Sequence, residues 1–158
     1  MSSPSNTQDA APSVALVCRV RSRFCAVPVS EIDETMRPLP MEPMRSAPSF
    51  VSGVAIVRGV PTPVLDAGRL LGAGDDAQPT RFVVVRVGER RVALAVEAVV
   101  GLRTLSATAL HDLPPLIQDA RADVVAAIGA LDASLLVVLR TARLVPETVW
   151  NAIRGGAG

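Results

Sequence analysis

Two stretches of this chain are written twice, and the order in which they recur leaves few folds open. FVSGVAIVRGVPTPVLDAGRLL, Phe50 to Leu71, reads as two short strands around a turn, and VVAAIGALDASLLVVLRTARLV, Val124 to Val145, repeats it 74 residues later with Arg143 aligned on Arg69. Val64 then matches Val138, Leu65 matches Leu139 and Leu70 matches Leu144, while Arg58 meets Asp132, Gly59 meets Ala133 and Asp66 meets Arg140. Upstream, CRVRSRFCAVPVSEI (Cys18 to Ile32) aligns with VRVGERRVALAVEAV (Val85 to Val99) at an offset of 67, so that Arg19, Val20, Arg23, Ala26 and Val29 meet Arg86, Val87, Arg90, Ala93 and Val96. Each half is a hairpin, a polar connection and another strand pair. One small β-module is used twice, its scaffold positions agreeing and its polar positions diverging.

The residues available for a core support strands. Hydrophobic residues make up 49% of the chain and aromatics only 3%, with no Tyr, so the interior is built from Val, Leu, Ile and Ala. Such β-branched stock favours pleated, packed surfaces. With 158 residues the chain has room for one ordinary domain or two very small ones sharing a core. We read residues 13–153 as a single folded unit of two pseudo-repeated subdomains, residues 1–12 as a disordered tail and residues 154–158 as a flexible end.

Charge and cysteine usage exclude several classes of function. A formal net charge of +1 gives no electrostatic footprint for nucleic acid or an anionic membrane. No run of about 18 apolar residues occurs, and the first residues carry neither a basic nor an apolar signal region, so a cytoplasmic protein without membrane insertion is expected. Cys18 and Cys25 are the only cysteines. If Arg21 and Ser22 form a two-residue turn, the two thiols face each other across a hairpin, where they act as small hydrophobes in a reducing compartment. With the lone His111 they fall short of the four ligands of a structural zinc site, so no metal or cofactor is expected. No serine sits in a nucleophile elbow, no phosphate-binding loop follows a strand, and His111 beside Asp112 lacks a nucleophile; the chain does not read as an enzyme.

Along the chain, Val14–Arg21 and Arg23–Val27 form the first hairpin. Val29, Ile32 and Met36 then recur at helical spacing, which predicts a short helix over Pro28–Thr35 with one buried face. Pro38, Pro40, Pro43 and Pro48 forbid regular structure until Phe50. Val51–Val57 and Thr62–Leu65 bracket a turn in which Gly59 supplies a positive φ, and Asp66 caps the AGRLL segment. Gly72–Asp76 reads as a flexible polar connector. In the second half Phe82–Val87 and Arg90–Val96 are joined by Gly88 and Glu89, a type II′ preference. That register sets Arg86 against Arg91, which requires water or a carboxylate, for instance a partner's, to relieve it. Glu97–Gly101 is the counterpart of the first short helix, Leu113–Ala122 a loop, and Ser134–Leu139 the closing strand. Pro146–Ile153 predicts a terminal helix that Trp150 anchors to the body.

Four of these segments, in this order, carry a resemblance: CAVPV leading into EIDETMRPLP, GVAIVRGVPTPVLD, RVGERRVALAVEAVVGL and the IGALD turn. From about Val14 to Val145 the chain resembles the CheW-like family of chemotaxis coupling proteins. The resemblance implies a mainly β fold, two intertwined five-stranded SH3-like β-barrels around a common core, with short helices and a C-terminal helix. It also implies a non-catalytic scaffold with two partners, the cytoplasmic hairpin of methyl-accepting chemotaxis receptors and the regulatory domain of the CheA histidine kinase. The family's receptor groove maps onto Ile32, Glu34 and Arg58, with Ile32 offering apolar area and the two charges setting register. Other accounts of the same residues stay open: Ile32 completing the core, Glu34 pairing with Arg37, Arg58 bridging internally to Glu34 or Asp66. Gly53, Gly59, Pro63 and Asp66 read as architecture. The chain departs from the pattern in a short first hairpin loop, in Gly101 where many relatives carry an acid, and in the proline- and arginine-rich MRPLPMEPMR. Service in a non-flagellar chemosensory system, or a homo-oligomeric module that does not bind the kinase, are the alternatives.

Overall fold

Ten strands account for most of the described residues, and their pairing shows why the sequence is duplicated. The computed structural model describes residues 13–21, 23–72, 78–105, 125–131, 134–141 and 144–156. In chain order these form β1 (Ser13–Val20), β2 (Arg23–Pro28), a single 3-10 turn (Val29–Glu31), β3 (Ile32–Met36), β4 (Val51–Val57) and β5 (Val60–Asp66). There follow α1 (Ala67–Leu70), β6 (Arg81–Val87), β7 (Arg90–Val96), β8 (Ala98–Leu105), β9 (Val125–Leu131), β10 (Ser134–Leu139) and α2 (Glu147–Gly156). Two five-stranded sheets result, in the orders β8-β1-β2-β10-β9 and β3-β6-β7-β5-β4. Each takes two strands from one half of the chain and three from the other. The fold is SH3-like and mainly β, but among the described residues the end strands of neither sheet pair with each other, so the sheets are open rather than closed barrels.

The registers reproduce the sequence offsets. Cys18 faces Cys25 as Val85 faces Val92, and the parallel pair Val138 and Ala26 has its equivalent in Val64 and Ala93. Val99 lies opposite Cys18 as Ile32 lies opposite Val85, and both edge pairings contain a bulge at the next residue. The crossing from β7 to β8 is pinned by Glu97, whose amide donates to the Arg19 carbonyl at 3.1 Å and whose carboxylate accepts from the Arg21 amide at 2.6 Å.

The central strands are buried on both faces, which explains their unbroken apolar runs. On β6, Val83 and Val85 point into a core shared by the two sheets, while Phe82 and Val84 point the other way into a smaller cluster with Ala55, Val57 and Val64. Alternation along β1 divides Leu16 and Cys18 from Ala15 and Val17 in the same manner. The shared core also takes Leu70 and Leu71 from the α1 region and Val149 and Trp150 from α2. Each such side chain contributes about 1.5–3 kcal/mol when fully buried. Cys18 and Cys25 are free and buried within it, and the Cys25 thiol is pushed well up by its hydrogen bond with Cys18 and by burial.

Several sequence expectations are corrected. Pro28–Thr35 is not a helix: after the 3-10 turn the chain enters β3, an edge strand whose bulge sends Ile32 to the shared core and Met36 to the smaller cluster, so their spacing marks no common buried face. The same holds for Glu97–Gly101, most of which lies in β8. Arg86 and Arg91 do face each other, and the carboxylate that meets both is Asp33 of the same chain. The terminal helix runs on to Gly156, into the segment expected to be flexible. The tail at 1–12, most of the 72–76 connector, His111, Asp112, the 113–122 loop, Asp132 and Ala133 lie outside the described residues. No helix among the described residues is long and apolar enough to cross a membrane.

The proline-rich segment after β3 is tied to the edge of β4 by two hydrogen bonds, Glu42 amide to Val54 carbonyl at 2.9 Å and Val54 amide to Glu42 carbonyl at 2.8 Å. A methyl group on Gly53 would stand 2.5 Å from the Glu42 oxygen, so the close approach requires glycine. Gly53→Ala is expected to cost about 1–3 kcal/mol through this overpacking. A urea unfolding midpoint equal to that of the wild type would show that the approach is dispensable.

Candidate functional site

Arg58 and Gly59 make the two-residue turn between β4 and β5, with φ of 52° and 81°. Positive φ at both central positions is the type I′ pattern that matches the twist of a hairpin. Glycine adopts it freely, whereas an arginine there is held in a costly conformation. A bidentate ion pair compensates: Arg58 Nε donates to Glu34 Oε2 at 3.0 Å and Nη2 to Glu34 Oε1 at 2.7 Å. The partners come from opposite ends of one sheet, Glu34 from the edge strand β3 and Arg58 from the turn that follows the other edge strand, β4. The sheet is therefore coiled far enough for a side-chain bridge to join its ends where no backbone pairing does. The Arg58 side chain remains 69% exposed and that of Glu34 24%.

The bulge in β3 supplies the second half of the cluster. Ile32 lies opposite Val85 and Glu34 opposite Val84, so Asp33 is the inserted residue. Its Oδ1 accepts from Arg86 Nη1 at 2.8 Å, and its Oδ2 stands 3.0 Å from Arg91 Nε. Arg86 also donates from Nη2 to the Ser30 carbonyl at 2.8 Å. Two adjacent acids thus hold three guanidinium groups, and one positive charge is left over. Hydrogen bonding from Arg58 holds the Glu34 carboxyl below its ordinary range, and the same bond raises Arg58.

Of the residues singled out from sequence, Glu34 and Arg58 are brought into contact. Ile32 lies on β3 rather than on a helix, partly buried against the shared core. Asp66 does not reach Arg58; it accepts from the Arg69 amide at 3.2 Å and caps α1. Pro63 is buried in β5 just before the stretch Val64–Asp66 that pairs with β7, where its missing amide hydrogen removes no bond from that ladder. Sequence reasoning missed Asp33, although a second acid beside Glu34 was visible. It also missed Ile56 and Val60, which flank the turn and are 59% and 49% exposed. The alternation of β4 alone would have placed Ile56 outward. Exposed apolar area beside a fixed charge pair suits protein recognition. Among the described residues no group of three or more His, Cys, Asp or Glu side chains is placed to hold a metal ion.

Because the folded-state value of Glu34 is depressed, the pair's contribution is present in full above the ordinary glutamate range and is lost as pH falls through the depressed value. Carbon-detected NMR titration should find Glu34 ionising below an ordinary glutamate and returning toward it in Arg58→Ala; coincident curves for the two proteins would break the assigned bond.

Comparison with known proteins bears on the family and the fold. The model of the CheW-like domain matches residues 14–149. The chain is 33% identical over 154 residues to Protein FrzA of Myxococcus xanthus, covering 84% of this chain and 96% of that one. It is 28% identical over 127 residues to Chemotaxis protein CheW of Rhizobium meliloti, covering 78% and 81%. In three dimensions it resembles the crystal structure of the scaffolding protein TtCheW from Thermoanaerobacter tengcongensis, with a TM-score of 0.74 at 18% identity over 85% of this chain and 88% of that one, a likeness of fold. Domain match, relatives and fold coincide over the same duplicated strands: the chain belongs to the CheW-like family.

Proposed function

We propose that this protein is a non-catalytic adaptor of chemosensory signalling, coupling the cytoplasmic hairpin of a methyl-accepting receptor to the regulatory domain of the CheA histidine kinase. The reading rests on family membership, on relatives named as chemotaxis proteins and on a structural neighbour named as a scaffolding protein. The single observation that carries it is the turn at Arg58, a fixed charge pair beside the exposed Ile56 and its exposed cross-strand neighbour Pro61. A helical hairpin with an apolar stripe and flanking polar residues meets such a surface through burial of the stripe, while the charges select its register. The adaptor works in the cytoplasm, where both partners present these parts.

The kinase needs a separate surface, and we assign it to the edge strand β8. Val100 and Leu102 on β8 and Val14 on the neighbouring β1 are all exposed, at 39%, 56% and 41%. An apolar edge strand is a template for a second β-domain.

Arg58→Glu breaks the exposed pair with Glu34 without entering the core, so it should lower the unfolding midpoint slightly, keep the fold and weaken receptor-hairpin binding about tenfold. Leu102→Glu should impair kinase-domain binding and spare the receptor. Isothermal titration of each variant against each partner checks both, and equal receptor affinity for Arg58→Glu and wild type would remove Arg58 from the site.

A further inference from the structure

Beside the Arg58 turn lies a pocket that the charge pair does not use. It has a volume of about 420 Å³ and is formed where α2 passes over the start of β5 and the β6–β7 turn. Val60, the residue after the turn, is one wall, and Trp150, Arg90, Arg91, Arg154 and Glu89 form the others. We propose that this pocket is a second docking point for the same helical partner, seating an acidic side chain that flanks the partner's apolar stripe. The proposal rests on the adaptor reading and extends its receptor surface from the Arg58 turn onto the C-terminal helix.

Three features of the pocket carry it. The first is continuity: Pro61 lines the pocket and lies directly opposite the exposed Ile56, with Val60 beside the turn as a second lining residue, so a helix lying on Ile56 runs on toward α2. The second is charge, since Arg90, Arg91 and Arg154 line the pocket and Glu89 is the one acidic residue among its lining. Arg91 is engaged by Asp33 and Arg90 by Glu147, but Arg154 meets no carboxylate among the described residues and donates only to Asn151 Oδ1. The third is preorganisation. The Arg90 guanidinium lies 4.8 Å from the centre of the Trp150 ring while its Nη1 is 2.9 Å from Glu147 Oε2, so the cation is fixed before any ligand arrives. A carboxylate entering over Val60 would meet Arg154 and the exposed side of Arg90, with Glu89 opposing it and setting a limit on affinity.

Trp150 is the chain's only tryptophan, so its emission reports on this pocket and not on the Arg58 turn. The experiment titrates the full-length protein with a tryptophan-free receptor hairpin fragment, following Trp150 fluorescence and heat in parallel. A saturable emission change with the calorimetric midpoint is expected. Arg154→Gln, which removes the charge and keeps the helix, should weaken binding several-fold, and Glu89→Gln should tighten it by about twofold. Arg58→Glu should weaken binding yet leave the limiting emission change intact. Binding by the wild type with flat Trp150 emission and no effect of Arg154→Gln would overturn the pocket and leave the adaptor reading standing. The absence of both heat and any emission change with wild type would overturn the adaptor reading, and the pocket's role with it.

Discussion

Neither half of this chain can complete a sheet by itself, and the rest of the structure follows from that constraint. Strands β1 and β2 are a two-stranded hairpin until β8 joins one side and β10 the other, and β6 and β7 wait in the same way for β3 and β5. An isolated hairpin is marginal in water, so each half is stable only when the other has folded around it. The seams are the short parallel pairings of β2 with β10 and of β5 with β7, contacts between residues far apart in sequence. Loop closure must precede them, which makes folding slow and cooperative. The exchange also explains the composition: strands covered on both faces cannot alternate with polar residues, and runs such as Phe82–Val85 are buried throughout.

What the sequence made legible was local or duplicated. Two-residue turns fix hairpin registers, so the meetings of Cys18 with Cys25 and of Arg86 with Arg91 could be read directly, and the repeat announced two equivalent modules. The edge strands were hidden by their bulges. With Asp33 inserted, Ile32 and Met36 face opposite sides of β3 although they stand four apart, and nothing local distinguishes that spacing from one turn of helix. The partners of charged side chains were hidden for a different reason. Asp33 answers arginines more than 50 residues away, and the pocket at α2 is assembled from the starts of β5 and β7 and from the last helix. Coiling of the sheet decides these meetings, and no pattern within one strand encodes it. Glu34 and Arg58 were paired only as one of several alternatives.

The duplication keeps the frame and discards the chemistry. At the offset of 67, Asp33 corresponds to Val100 and Glu34 to Gly101, and the two bulges occupy equivalent places. One bulge therefore presents a carboxylate that bridges two arginines, and the other presents an exposed valine followed by an exposed leucine at 102. Arg58 diverges likewise, its counterpart in the sequence being Asp132. A charged, desolvation-averse edge and an apolar edge do not compete for the same ligand, because burying the first without matching charges costs what burying the second gains. Two chemically distinct surfaces held at equivalent positions on one rigid core can be occupied together, with each partner's geometry fixed relative to the other. That is the physical requirement for an adaptor between unlike proteins. The two copies come to offer such different surfaces by differing in a few residues at the edges, while the interior positions of both stay apolar.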